Sequence, residues 1–287
     1  MNRKFATIVL VGEPNSGKST LLNTLIGEKL SIVTHKVQTT RKTITGIVIR
    51  DNCQIVIYDT PGIFNDPATL LEKKIVGNAR HTISENDKIY IVIDSSAINL
   101  EHILKLIQIV NKPNISLLFN KIDIADAEKL KNLEQELKDK VSHIFRISAL
   151  TNEGINELLE FICGDAEESP WLYPEDEITT IPERELAADI TREKLFLKLH
   201  QELPYSLTVE TELWKDQILK GERSVTIHQI IYTKRESHKK IIIGKNGLTI
   251  KNIGIRSRTE LERTLGCKVN LLLFVKVRAN WEELDIV

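Results

Sequence analysis

The sequence predicts an α/β protein, a doubly wound and mostly parallel sheet followed by a smaller α+β domain. Three observations carry that expectation. Short, nearly all-apolar runs alternate with helical stretches through the N-terminal half. The 287 residues, 41% of them hydrophobic, suffice for roughly two cores. Charge also changes sign abruptly along the C-terminal half.

Residues 5–11 form a short apolar run typical of a strand buried on both faces, and lead through a Gly-containing loop into a helical stretch at 18–26. Further strands are expected at 54–58, 89–93, 116–119 and 143–147, with helices at 70–84, 100–111, 126–141 and 154–163 between and after them. Such alternation winds helices onto both faces of a parallel sheet, whose ligands collect at the carboxyl ends of the strands. In the C-terminal part, 207–213, 225–232 and 271–277 read as strands, and 239–243 and 248–253 as helices around Gly244-Lys245-Asn246-Gly247.

The 39 Lys and Arg balance 40 Asp and Glu to a net charge of −1. Composition therefore excludes a disordered or fibrous chain. No apolar run approaches the ~20 residues that cross a bilayer. Arg3 and Lys4 precede an apolar stretch that stops at Gly12-Glu13-Pro14 without a cleavage site, so a signal peptide is not expected and a cytoplasmic address is. Cys53, Cys163 and Cys267 lie far apart with no C-x-x-C pair; they read as packed thiols, not metal ligands. Residues 165–189 hold nine acidic residues and one basic, Arg184, together with three prolines, whereas residues 238–280 hold ten Lys and Arg against Glu260 and Glu262. This polarity suggests an acidic connector, 165–184, between a first domain at 1–164 and a polyanion-binding domain at 185–287.

The first loop reads Gly12-Glu13-Pro14-Asn15-Ser16-Gly17-Lys18-Ser19, the G-x-x-x-x-G-K-[ST] phosphate-binding pattern. Gly12 and Gly17 let backbone N–H groups wrap a phosphate chain, Lys18 supplies positive charge, and the Ser19 hydroxyl suits Mg²⁺. Ser16 and Thr20, beside them, belong to the same candidate site. Asp59-Thr60-Pro61-Gly62 follows a strand, placing a carboxylate near the metal's water shell and a glycine N–H near a γ-phosphate. Asn120-Lys121-Ile122-Asp123 follows another. A carboxylate there accepts two N–H bonds from a guanine edge, whereas adenine leaves it unpaired. Ser148-Ala149-Leu150 would close over the base from the other side. In this order, each after its own strand, the loops form a GTPase set.

With Asn15, Gln38-Thr39-Thr40-Arg41 and the C-terminal Gly244-Lys245-Asn246-Gly247, the chain resembles the Era family of bacterial GTPases over nearly its whole length. The resemblance implies a P-loop GTPase domain and a KH domain, GTP and GDP with Mg²⁺, and binding to the 3′ end of small-subunit ribosomal RNA during small-subunit assembly. It makes Thr40, before Thr39, the switch residue that closes on Mg²⁺, so that Ser19, Thr40 and Asp59 are the metal set. Lys18, Thr40 and Asn15 are then the candidates for the hydrolytic step. Related GTPases with Asn at this position use it to hold K⁺, while as a bare sequence feature Asn15 equally suits a turn. Ile63 and Phe64 stand where many GTPases place a water-orienting Gln, and neither can orient water, so slow intrinsic hydrolysis is expected. A monomer, with a peripheral contact at the inner face of the cell membrane, is also implied. One segment departs from the family: residues 188–194 read Ala-Asp-Ile-Thr-Arg-Glu-Lys where Glu-Ile-Ile-Arg-Glu-Lys is expected.

Flanked by Ile241 to Ile243 and followed by Ile250 and Ile253 at helical spacing, the G-x-x-G segment resembles a KH loop. Ile243, Gly244, Lys245, Asn246, Gly247 and Lys251 are its candidate RNA contacts, with residues 233–238 at the rim of the groove. Trp281 reads as a core cap in preference to a stacking platform. Two rivals remain at this level. One is a P-loop kinase of a small metabolite, which leaves Asn120, Lys121 and Asp123 unused; the other is an RNA-binding module with a vestigial nucleotide site.

Overall fold

The computed structural model describes residues 2–34, 40–62, 70–199, 203–219 and 221–281. Gln38, Thr39, Ile63 and Phe64 lie outside them. The chain divides into two compact units, Met1–Thr180 and Ile181–Val287.

In the first unit the strands are β1 (Lys4–Val11), β2 (Ile44–Arg50), β3 (Cys53–Asp59), β4 (Ile89–Asp94), β5 (Ile115–Asn120), β6 (His143–Arg146) and β7 (Glu167–Glu168). The helices are α1 (Lys18–Ile26), α2 (Leu70–Glu85), α3 (Leu100–Val110), α4 (Ala127–Leu137) and α5 (Ile155–Gly164). The sheet order is β2-β3-β1-β4-β5-β6, and β3, β1, β4, β5 and β6 run parallel. Ile8, Val9, Leu10 and Val11 are wholly buried, as a strand covered on both faces requires. The sheet core joins β1, β4 and β5 to apolar residues of α2, α3 and α4. Asn99 and Asp126 cap α3 and α4 by accepting hydrogen bonds from the N–H groups of the first turn.

In the first unit the outcome differs from the expectation in three places. β2, which no sequence signal marked, pairs antiparallel with β3; its Gly46 leaves no room for a side chain against Leu22 and Ile26 of α1. α4 stops at Leu137, before the expected end at residue 141, because its buried positions end there and the chain must turn into β6. The acidic stretch expected as a connector is largely laid along the first unit. β7 pairs with the start of β1. The wholly buried Gln54 accepts hydrogen bonds from the N–H groups of Leu172 (2.9 Å) and Tyr173 (3.0 Å) and donates to the Tyr173 carbonyl (2.8 Å). Main-chain acceptors and donors left over by β1 and β2 are met by this strap, including Ile47 N–H donating to Ile178 O at 2.8 Å.

The second unit holds α6 (Glu183–Lys198), β8 (Leu207–Leu219), β9 (Glu222–Thr233), α7 (Glu236–Ile243), α8 (Leu248–Leu265) and β10 (Lys268–Val277). Its sheet runs β10-β9-β8, with β8 antiparallel and β10 parallel to β9. α6 was hidden in the acidic run. Glu183 and Glu185 in its first turn suit the positive end of the helix, and Leu186, Ala187, Ile190, Leu195 and Phe196 are buried. The departing 188–194 segment lies on this helix, where Arg192 pairs with Asp189 at 2.8 Å. α8 runs twelve residues past the expected 253, carried by buried positions at Ile253, Ser257 and Leu261. Trp281 is fully buried. No helix among the described residues is long and apolar enough to cross a membrane.

Candidate functional site

The phosphate loop is shaped by what its glycines allow to approach. A Cβ on Gly12 would run into the Val92 carbonyl of β4, and one on Gly17, whose φ is 97°, into the Asn120 side chain. Asn15 also takes a left-handed conformation, φ 64°, and its side chain is exposed. Lys18 is buried and donates to the carbonyls of Gly12 (3.0 Å) and Glu13 (2.8 Å). Burial lowers its pKa to about 8, against the attraction of Asp59 and Glu13. A phosphate arriving here would restore its full charge.

Asp59 ends β3 with no exposed surface. Burial raises its pKa, opposed by Lys18 and by hydrogen bonds from Ser19 and Ser31. Its Oδ2 accepts from Ser19 Oγ (2.7 Å) and Ser31 Oγ (3.2 Å), and Ser19 Oγ lies 2.9 Å from Thr40 Oγ1. Oδ1 of Asp59, buried, has no hydrogen-bond partner among the described residues. Two hydroxyls and a carboxylate with an unused oxygen form a hard, all-oxygen donor set that fits Mg²⁺, an ion that shares its shell with phosphates and water. Gly62 packs against Pro14, where a Cβ would come within 2.8 Å of the Pro14 nitrogen.

The loops read as the candidate base side are built round Asn120. Its Nδ2 donates to Ser16 O and its Oδ1 accepts from Ala149 N, both at 2.9 Å, so one side chain ties three loops together. Lys121, left-handed at φ 63°, donates to Asn15 O (2.8 Å) and pairs with Asp94 at the carboxyl end of β4. Burial works against the Asp94 charge, but hydrogen bonds from Lys121 and Ser96 hold its pKa below the usual carboxylate range. Asp123 sits on a 3-10 turn and accepts from Ser148 Oγ at 2.6 Å. Thr24 Oγ1 donates to Ala149 O at 2.7 Å, while Leu150 is 80% exposed beside it. Thr20 lies on the first turn of α1, and the buried Ser16 Oγ has no hydrogen-bond partner among the described residues.

In the second unit, Gly244 to Gly247 link α7 to α8. Lys245 and Asn246 are exposed, Asn246 is left-handed at φ 51°, and no side chain caps the N-terminus of α8. A side chain on Gly244 would collide with Thr249. Beside this loop, Ile250, Lys251, Gly254, Ile255, Arg258, Leu271 and Leu273 line a groove of about 300 Å³ between α8 and β10. Ile243, half-buried, ends α7 next to the loop. Residues 233–238, expected at the rim, line no part of the groove. Thr233 is buried and donates to Ser206 O at 3.4 Å, and the rest enters α7.

A family model described as a 50S ribosome-binding GTPase matches residues 7–121, and a KH-domain model matches residues 202–282. GTPase Era of Rickettsia conorii is 50% identical over 286 residues, covering 98% of this chain and 83% of that protein. The chain belongs to the Era family of GTPases. GTPase Era of Brucella suis is 46% identical over 96% of this chain and 88% of its own length. An Era solved with MgGDPNP and nucleotides 1506–1542 of 16S ribosomal RNA is 38% identical, with a TM-score of 0.89 over 98% of this chain and 95% of that one. A point variant of Aquifex aeolicus Era bound to GDP·AlF₄⁻ is 37% identical, with a TM-score of 0.88 over 98% and 96% of the two chains.

In this Era-family chain Ser31 and Asp94 join the candidate site without belonging to any of its sequence motifs. Asp94 had a usable signal, a carboxylate at the carboxyl end of a parallel strand. Ser31 had none, since it reaches Asp59 only because Asn23 Oδ1 accepts from the N–H groups of Leu30 (2.9 Å) and Ser31 (2.8 Å) and folds that loop inward.

Proposed function

We propose that residues 1–164 hold GTP or GDP with Mg²⁺ and hydrolyse GTP slowly, and that residues 185–287 clamp the 3′ end of small-subunit ribosomal RNA during subunit assembly. The observation that carries the nucleotide half is the convergence of Ser19, Thr40 and Asp59, with its unpartnered Oδ1, beside Lys18. Bound there, Mg²⁺ would offset phosphate charge. Gly12, Ser16, Gly17 and Thr20 would surround the phosphates with Lys18, and Asn120, Lys121, Asp123, Ser148, Ala149 and Leu150 would take the base. The network through Asn120, Lys121 and Asp123 favours this reading over a metabolite kinase. An intact set of phosphate and metal residues argues against a vestigial site.

For the RNA half, the exposed Lys245, the uncapped N-terminus of α8 and the adjoining groove with Lys251 supply phosphate donors beside an apolar floor. The test of the joint function is RNA affinity by filter binding with the protein loaded in turn with GTP and GDP. Coupled sites predict affinities that differ 5- to 150-fold, roughly 1–3 kcal/mol. Identical affinities would reduce the protein to two tethered, independent modules.

The exposed Asn15 side chain at the mouth of the phosphate loop supports a K⁺ ion as the extra positive charge that a site without a water-orienting Gln needs. Replacing K⁺ by Na⁺ at equal ionic strength should slow turnover in a phosphate-release assay, and Asn15→Ala should abolish the difference. Equal rates in both salts would leave Asn15 a turn residue. The same proposal makes the protein a cytoplasmic monomer with a peripheral membrane contact.

A further inference from the structure

Away from the groove, on the opposite flank of α8, two pairs of side chains spaced four residues apart face one another. Lys194 and Lys198 come from α6, Asn252 and Arg256 from α8, and with Ile253 at the floor they line a pocket of about 150 Å³. That is roughly the space of five waters. Lys194 is already neutralised, 2.7 Å from the buried Glu193 and 3.7 Å from Glu260. Lys198 and Arg256, which also line the pocket, form no ion pair with any acidic side chain among the described residues.

From this geometry we infer that the pocket is a second phosphate site, which binds the backbone of the RNA beyond the stretch held in the groove. The inference rests on the RNA-binding reading of the second unit. Lys251 and Arg258 present cations on the groove flank of α8 and Arg256 on the pocket flank. Round the exposed face of α8 the two flanks are half a circumference apart, ~16 Å for a helix ~10 Å across, which a stacked strand rising ~3.4 Å per nucleotide covers in about five nucleotides. A G-x-x-G loop clamps roughly four nucleotides, whereas the RNA crystallised with the Era relative spans nucleotides 1506–1542. RNA of that length extends well beyond the groove, within reach of phosphate donors elsewhere on the unit. A guanidinium and an ammonium lining one pocket together with an amide have the chemistry for one phosphodiester.

The experiment compares a hexanucleotide sized for the groove with an RNA equivalent to 16S nucleotides 1506–1542, by fluorescence anisotropy on the full chain. Lys198→Ala with Arg256→Ala should weaken the long RNA about tenfold and lower its log–log salt slope by about 1 to 2, while the hexanucleotide is held as before. Lys198→Arg with Arg256→Lys, which keeps both charges, should retain most of the affinity. Lys194 stays untouched, because removing it would leave the Glu193 carboxylate buried and unpaired. Unchanged long-RNA affinity and slope would overturn the site. Equal losses for both RNAs would reduce it to a diffuse field, and a loss in the charge-keeping variant would point to helix damage. If RNA binding holds but binding to phosphatidylglycerol vesicles falls, the pocket serves a membrane surface instead. Should the wild type bind neither RNA, the RNA reading of the whole unit fails first.

Discussion

Asp123→Asn is expected to cost GTP binding about 2 kcal/mol or more, the scale of losing a charged hydrogen-bond acceptor and facing a donor with a donor. The reason lies in how the carboxylate is held. One oxygen accepts from Ser148 Oγ at 2.6 Å, and the 3-10 turn at 122–124 fixes the side chain's origin. The carboxylate can then accept both N–H groups along the guanine edge. An amide offers one acceptor and one N–H₂, so the exocyclic amine of guanine meets another donor. Xanthine carries a carbonyl at that position and should gain what guanine loses. Calorimetry with GTP and XTP on both proteins reads the swap directly. Unchanged GTP affinity in the variant would refute the assignment of Asp123, and a fall for both nucleotides would mean that the turn itself had collapsed.

The other large effect is expected in the second unit. Lys245→Asp with Asn246→Asp should nearly eliminate RNA binding while leaving GTP affinity and the circular dichroism spectrum as they were. Both side chains are exposed on the loop that opens α8, so two negative charges would replace one positive where a phosphate must arrive, and binding driven by phosphate neutralisation falls steeply. The fold should tolerate the change. Asp accepts the left-handed conformation that Asn246 adopts at φ 51°, and carboxylates near the start of a helix favour it. Full RNA binding by this variant would remove the KH assignment of the loop. Lost GTP binding would show that the substitution had unfolded more than its own loop.

What could be read in the sequence follows the physics that wrote it. Strands buried on both faces must be continuous apolar runs, so β1, β3, β4 and β5 were visible. β2 was not, because Thr45 and Gly46 interrupt its run and Gly46 is there for the sake of α1. The two residues of β7 are both Glu, and only their pairing with Lys4 and Phe5 makes them a strand. α6 begins inside an acidic, proline-bearing stretch whose composition reads as a connector, although its acids are placed at the favourable end of a helix. α8 reads as short because Ser257, buried in mid-helix, breaks its apolar spacing. The grouping of the candidate site was more legible than the fold: the structure brings Ser19, Thr40 and Asp59 together and ties Ser16, Asn120 and Ala149 to one another. Phosphate loops, metal hydroxyls and base acceptors are constrained by ligand chemistry to particular residue types at short spacing, and that pattern survives in one dimension. Residues that act by holding others are set by tertiary approach, as Ser31 and Gln54 are, and leave no such mark.

The Asn120 side chain binds Ser16 of the phosphate loop with one end and Ala149 of the base loop with the other, and Gly17 has no Cβ because that amide lies against it. Three segments that look like separate words in the sequence are therefore one thermodynamic unit. Substitutions among them should be epistatic: their free-energy costs will not add, and each loop's tolerance to change will depend on the state of the others. An ortholog's residue grafted into one of these loops alone is a poor guide to what it does in its own context, and the loops should drift through evolution together or scarcely at all.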